Sequence, residues 1–227
     1  MGSRKEGLSR KVRSSTQKQP PVYRWLIPFV LACVVYFLLW IPEDQPSGFS
    51  ALVKSLPIFC LGLFVRATAS HQSSCACLTV ALLCSAVGDI CLIWPHAFLY
   101  GMGAFAAAHL LYIWTLGWTP LQPGLLLPIG LFSVPYSALL LLRVPPDMVL
   151  PVTAYAVILA AMLWRGLVRG GVARWGALLF VVSDSVLAWT TFARPLPHAR
   201  LVVMATYYAA QLLLALSGVR GTHLKAH

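Results

Sequence analysis

Two aspartates stand out in a chain nearly stripped of acids. Of its 227 residues only six are Asp or Glu. Glu6, Glu43, Asp44 and Asp147 fall in the N-terminal tail, in a loop or at the edge of an apolar stretch. Asp89 and Asp184 instead lie more than halfway along apolar stretches long enough to cross a bilayer. A carboxylate at bilayer depth costs ~2.5–3.5 kcal/mol even on insertion scales, so such an acid faces a bundle interior and has a use. Their surroundings match. One reads Gly88-Asp89-Ile90-Cys91-Leu92-Ile93-Trp94 and the other Ser183-Asp184-Ser185-Val186-Leu187-Ala188-Trp189, and the two acids are 95 positions apart. Two carboxyl groups brought together support acid–base chemistry, one delivering a proton while the other stabilises a cation or activates water. The structural alternative is a hydrogen-bonded pair of acids that ties helices together.

Other polar side chains are set into apolar stretches at helical spacing. His109 and Tyr112, at i and i+3, share a face. Tyr207, Tyr208 and Gln211 form a second cluster, whose i+3 and i+4 spacings point them roughly one way. Ser183 directly precedes Asp184, and Tyr155 lies in the sixth apolar stretch; mid-membrane Tyr, Gln and His also serve as interhelical glue. Lys54 lies about six residues inside its stretch. Its stem can snorkel to the interface, or its ammonium can bind an anion such as a lipid phosphate.

The elements that must position these residues are membrane helices. A bilayer core of ~30 Å needs about 20 mostly apolar residues per helix. Eight such stretches are present, at about 24–41, 49–67, 75–93, 97–117, 123–142, 147–168, 172–192 and 198–218, joined by short links rich in Pro and Gly. The expected fold class is therefore all-α: a polytopic membrane protein with a bundle of eight transmembrane helices over 24–218. A basic tail precedes it at 1–23 and a short tail follows at 219–227. The spacing of the aspartates equals four stretches, so a parallel repeat of four plus four helices would bring two equivalent acids toward one axis.

Composition agrees. Hydrophobic residues make up 59% of the chain and charged residues 10%, far from the roughly 25% charged of a soluble domain. The net charge of +11 sits in the gaps between apolar stretches rather than along one soluble face, which argues against a nucleic-acid binder. Thirteen Lys and Arg fall on the side of the N-terminus and three on the other, with Lys54 inside a stretch. Positive charge marks the cytoplasmic side, so both termini are expected in the cytosol. The first stretch is too long for a signal-peptide core and is expected to be retained. Six cysteines lie in or beside the stretches without a C-x-x-C pair, and no two His, nor a His and a Glu, share a helix face, so neither a disulfide framework nor a zinc hydrolase is signalled. No phosphate-binding glycine loop or G-x-S-x-G elbow is present.

From the residues alone two classes fit: an intramembrane enzyme acting on a lipid by acid–base chemistry, and a proton-coupled carrier of small molecules or lipids with Asp89 and Asp184 as its relay. A resemblance separates them. Lys54-Ser-Leu-Pro57, Ser85-Ala-Val-Gly-Asp89, His109-Leu-Leu-Tyr112, Gly176-Ala-Leu-Leu-Phe-Val-Val-Ser-Asp184 and Tyr207-Tyr-Ala-Ala-Gln211 resemble the motifs of the YhhN-like lysoplasmalogenases. The segments 40–45, 121–127 and 195–199 are similar to mammalian members. The resemblance implies hydrolysis of the vinyl ether bond of lysoplasmalogens, giving a fatty aldehyde and glycerophosphoethanolamine or glycerophosphocholine. It also implies an endoplasmic-reticulum membrane and no metal or organic cofactor. The partners expected are a lysophospholipid substrate and membrane lipids, with no nucleic acid; a homodimer is left open.

An enol ether is hydrolysed by protonating its β-carbon, adding water to the resulting oxocarbenium ion, and collapsing the hemiacetal. Asp89 and Asp184 are expected to share the acid and base roles as a coupled pair. Tyr207, Tyr208 and Gln211 would orient water or the glycerol hydroxyls, His109 would tune or relay the proton, and Lys54 would hold the phosphate. Tyr112, Tyr155 and Ser183 would be supporting polar groups.

Overall fold

Proline and glycine set the ends of the helices. In the computed structural model, which describes residues 22–42, 45–68 and 73–223, Pro95, Pro123 and Pro146 each open a short 3-10 turn that leads into a longer helix. Proline fits the first helical turn because its missing N–H has no partner to lose there. Gly117 and Gly170 close two helices at φ of 87° and 71°, where a side chain would be strained. Most of the expected basic tail, with Glu43, Asp44 and His71, lies outside the described residues.

Eight α-helices occupy the eight expected stretches among the described residues: α1 (Ile27–Leu39), α2 (Gly48–Thr68), α3 (Ser73–Cys91), α4 (Phe98–Leu116), α5 (Leu126–Leu141), α6 (Val149–Arg169), α7 (Gly171–Phe192) and α8 (Ala199–His223). The last continues beyond the expected end at 218. Among the described residues six helices, three of them counted with the 3-10 turn that leads in, are long and apolar enough to cross a membrane; the segments Arg24–Leu39 and Cys75–Cys91 are shorter apolar helices. The surface fits lipid. Leu38, Phe132, Leu142 and Leu150 are all more than 75% exposed, whereas Asp89, His109, Arg165 and Gln211 are buried. A chain with apolar residues outside and polar groups inside is what a hydrocarbon solvent selects. The protein is a multi-pass helical membrane protein.

Six helices close a ring, in the order α2, α3, α4, α6, α7, α8 and back to α2. The other two sit outside it, α1 against α2 and α5 against α6. Small residues allow the closest approaches. A Cβ on Gly88 would lie 2.6 Å from the Phe105 ring of α4, and one on Gly166 would lie 2.4 Å from Ala177 Cβ of α7. Arg165 is 1% exposed. It donates from Nε to the Gly117 carbonyl at 2.6 Å and from its guanidinium to the Pro120 carbonyl at 2.8 Å. A buried guanidinium is thereby used to pin the α4–α5 link to α6.

Candidate active site

The ring encloses a cavity of about 420 Å³ lined by Lys54 of α2, Asp89 of α3, Ser183 and Asp184 of α7, and Arg200 and Tyr207 of α8, with Trp40 at the end of α1. The two aspartates thus meet in one space, although α3 ends two residues after Asp89 and α7 continues eight residues past Asp184. Small neighbours make this approach possible. Gly88 lets Phe105 of α4 lie against α3, and the Ser183 hydroxyl donates to the Val203 carbonyl of α8 at 3.1 Å.

Each aspartate is gripped by tyrosine. Tyr207 donates to Asp89 Oδ2 at 2.7 Å, and Tyr155 donates to Asp184 Oδ2 at 2.6 Å. His109 Nε2 lies 2.9 Å from the Tyr155 hydroxyl and 3.4 Å from Asp184 Oδ2. Because the one hydroxyl hydrogen of Tyr155 is spent on Asp184, His109 must donate to the Tyr155 oxygen, which assigns the proton to Nε2. The chain of donors runs His109 to Tyr155 to Asp184, and the direct 3.4 Å contact is the weaker route. His109 Nδ1 is buried with no hydrogen-bond partner among the described residues. Phe180 stands edge-on to His109 at a centroid distance of 4.6 Å and to Tyr207 at 5.5 Å. Packed aromatic rings therefore fix both polar residues.

The remaining expected residues fall around this core. Tyr112 donates to Gln211 Oε1 at 2.5 Å, and Gln211 Nε2 is buried with no hydrogen-bond partner among the described residues. Tyr208 is turned away from the acids and donates to the Lys54 carbonyl at 2.7 Å. That carbonyl lies in the turn before Pro57, which is inside α2. Proline there removes the ladder hydrogen bond to the Val53 carbonyl, one residue before the carbonyl that Tyr208 bonds. Lys54 lines the cavity, within electrostatic reach of Asp89.

Arg200 and Trp40 were not expected in the site, nor were Thr190 and His198, which also line the cavity. Arg200 opens α8, lines the cavity beside Lys54, lies over the Trp40 ring at 4.4 Å and donates from Nε to the Tyr36 hydroxyl at 3.2 Å. Trp40, the residue after the last of α1, is the platform for that guanidinium. A second cavity of about 240 Å³ shares Lys54 and Arg200 and extends to Gln45, Pro46 and Ser50. The polar space therefore opens at the end of the bundle where α1, α3 and α7 finish, opposite the start of α1 and the end of α8.

The arrangement holds two carboxyl groups, each fed by a hydroxyl donor, below two cations and inside an apolar wall. The YhhN family model matches residues 49–218, which carry both aspartates and all the donors named above. The chain belongs to the YhhN family. Among its relatives, the lysoplasmalogenase TMEM86B of Sus scrofa is 61% identical over 97% of each chain. The lysoplasmalogenase TMEM86B of Mus musculus is 60% identical over the whole of both chains. A lysoplasmalogenase of Mycobacterium bovis is 32% identical over 76% of this chain and 72% of that protein. No solved structure matches this member of the family significantly.

Proposed function

We infer that the chain is a lysoplasmalogenase, hydrolysing the vinyl ether bond of ethanolamine or choline lysoplasmalogens to a fatty aldehyde and the glycerophospho alcohol. The observation that carries this reading is the shared cavity of Asp89 and Asp184 in a family whose near relatives bear that name over their full length. Those relatives favour the hydrolase over the carrier.

In the mechanism, one carboxyl of the pair holds the proton and the other the charge. The protonated acid delivers its hydrogen to the β-carbon of the enol ether, and the oxygen lone pair moves in to form an oxocarbenium ion. The carboxylate stabilises that cation and accepts a proton from the water that attacks the α-carbon. The hemiacetal then breaks its bond to the glycerol oxygen, which leaves as the alcohol with the proton that the pair took from water, while the hemiacetal hydroxyl gives its proton to the other carboxylate and so restores one acid and one base. Tyr155 and His109 hold Asp184, and Tyr207 holds Asp89. Ser183 ties α7 to α8 beneath the pair. Gln211 and Tyr112 form a buried hydrogen-bonded pair behind the cavity wall, and Tyr208 holds the backbone that carries Lys54. Lys54 and Arg200 bind the phosphate. This pairing suits an anion at the mouth, since Arg offers a planar fork and Lys a point charge.

All eight helices cross an endoplasmic-reticulum membrane in this reading, with both termini in the cytosol, as the asymmetry of thirteen Lys and Arg against three supports. The two halves are a parallel repeat. Its support is the packing: α1 lies outside α2 as α5 lies outside α6, and each aspartate helix is followed by its main partner, α4 or α8. Lys54 and Tyr155 stand at the same register in α2 and α6, seventh from each helix start.

The test is aldehyde release by purified protein in the presence of a chelator. Asp89→Asn and Asp184→Asn should each abolish it while the protein remains folded. Near-full activity of either variant removes that residue from the chemistry. Substrate-driven proton flux in proteoliposomes with no aldehyde formed would favour the carrier instead.

A further inference from the structure

A lysoplasmalogen is an amphiphile, and its scissile bond lies at the junction of a polar head and an apolar chain. The structure has one residue at a matching junction. Asp184 lines the polar cavity on one side and, on the other, an almost wholly apolar cavity of about 380 Å³ between α5, α6 and α7. That space shares Ser133, Tyr136, Ala156 and Ala160 with another apolar cavity of about 500 Å³, which continues to Pro128, near the start of α5, and Leu167, near the end of α6. The two form one continuous groove. On α6 it runs from Tyr155, whose hydroxyl touches Asp184, to Leu167. Twelve helical residues cover about 18 Å, from near the mouth end of α6 to its opposite end.

Resting on the lysoplasmalogenase reading, we propose that the α5–α6–α7 groove is the binding site for the alkenyl chain, entered sideways from the bilayer past α5. Three observations carry this beyond the presence of an apolar surface. The groove and the polar cavity meet at Asp184, so a chain in one and a phosphate in the other bring the vinyl ether to that carboxyl. The direction is right, because the chain descends from the polar mouth toward the opposite face, as it does in a leaflet. The flank is open, because α5 stands outside the helical ring and Phe132, which lines the groove, is 76% exposed. Small residues shape its walls, with Ala156 and Ala160 on α6 and Ser133 on α5.

Two measurements test the site. Ala160→Phe and Ser133→Phe place a ring in the groove from opposite walls. Each should lower kcat/KM for a long-chain lysoplasmalogen by about tenfold or more, while a substrate with a very short alkenyl chain is spared, since contacts of methylene size in an apolar pocket discriminate at that level. Full activity on the long chain, or equal loss on both chains, overturns the proposal. Independently, a saturated ether lysophospholipid with a diazirine at mid-chain labels wild-type protein without turnover. Peptides of α5 and α6 should carry the label, and excess lysoplasmalogen should compete it away. Labelling confined to other helices, or competition by diacyl phospholipid as good as by lysoplasmalogen, overturns it. Because labelling needs no hydrolysis, failure of the groove and failure of the enzyme reading are told apart.

Discussion

Tyr207 of α8 donates its hydroxyl hydrogen to Asp89 of α3 at 2.7 Å, joining two helices that are neighbours in space and far apart in sequence. Tyr155 of α6 does the same for Asp184 of α7 at 2.6 Å. These bonds hold each carboxyl in one orientation. Tyr207→Phe and Tyr155→Phe should each lower kcat with little change in KM. Loss of a hydrogen bond to a charged group costs about 1.5–3 kcal/mol, which is about ten- to hundredfold in rate. Steady-state kinetics on detergent-solubilised protein checks this, and a change confined to KM would contradict it.

In the proposed mechanism the two aspartates act as a unit, so their losses should not add. The single Asn variants should each lose at least ~10²-fold in kcat, within the range of positioned acid–base groups, and the double variant should be no slower than the slower single one. Rates that multiply in the double variant would mean that the acids work independently.

Arg200 and Lys54 face the mouth rather than the reacting bond. Arg200→Gln and Lys54→Ala should raise KM by about tenfold or more, in line with the loss of a charge-assisted contact to phosphate, and should reduce kcat less. Trp40→Leu should reproduce part of the Arg200 effect, because the ring lies 4.4 Å beneath the guanidinium. Unchanged KM in Arg200→Gln would exclude phosphate contact by that residue.

Gly88 has no room for a branched side chain, since even a Cβ would sit 2.6 Å from the Phe105 ring. Gly88→Val should cost about 1–3 kcal/mol, as overpacking does, and should displace Asp89 beside it. A thermal melt in detergent together with the aldehyde assay checks both effects.

The mouth of the polar cavity is at the bundle end opposite the start of α1 and the end of α8. With cytosolic termini, the glycerophospho alcohol should appear in the lumen of sealed microsomes and become available to an external enzyme only after permeabilisation. Immediate appearance outside intact vesicles would place the mouth on the cytosolic side.

Much of the fold was legible in the chain because a bilayer imposes a length. Apolar runs of about 20 residues located all eight helices, and scarcity of acids singled out Asp89 and Asp184. The supporting shell was harder to read. Arg200 looked like one of three basic residues left on the non-cytosolic side. Its place in the site depends on α8 starting beside the end of α1, a contact between residues 164 positions apart. Arg165 looked like a cytosolic charge marking topology, yet it is buried on the carbonyls of Gly117 and Pro120. Periodicity places such residues at the correct helix end but says nothing of which neighbouring loop they reach. The direction of Tyr208 was likewise invisible, because its partner is a backbone carbonyl, that of Lys54, on another helix.

The exposed flank of the groove along α5 changes what substrate concentration means for this protein. A chain that slides from lipid into an apolar groove leaves one hydrocarbon environment for another, so little of the ~0.8 kcal/mol per methylene available on leaving water remains to drive binding. Discrimination then rests on the head group and on fit. The quantity that saturates the enzyme is the mole fraction of lysoplasmalogen in the bilayer rather than its amount per litre. Inert phospholipid added at constant bulk substrate should slow the reaction by surface dilution alone, so bulk KM values from different membrane preparations become comparable only after conversion to mole fraction.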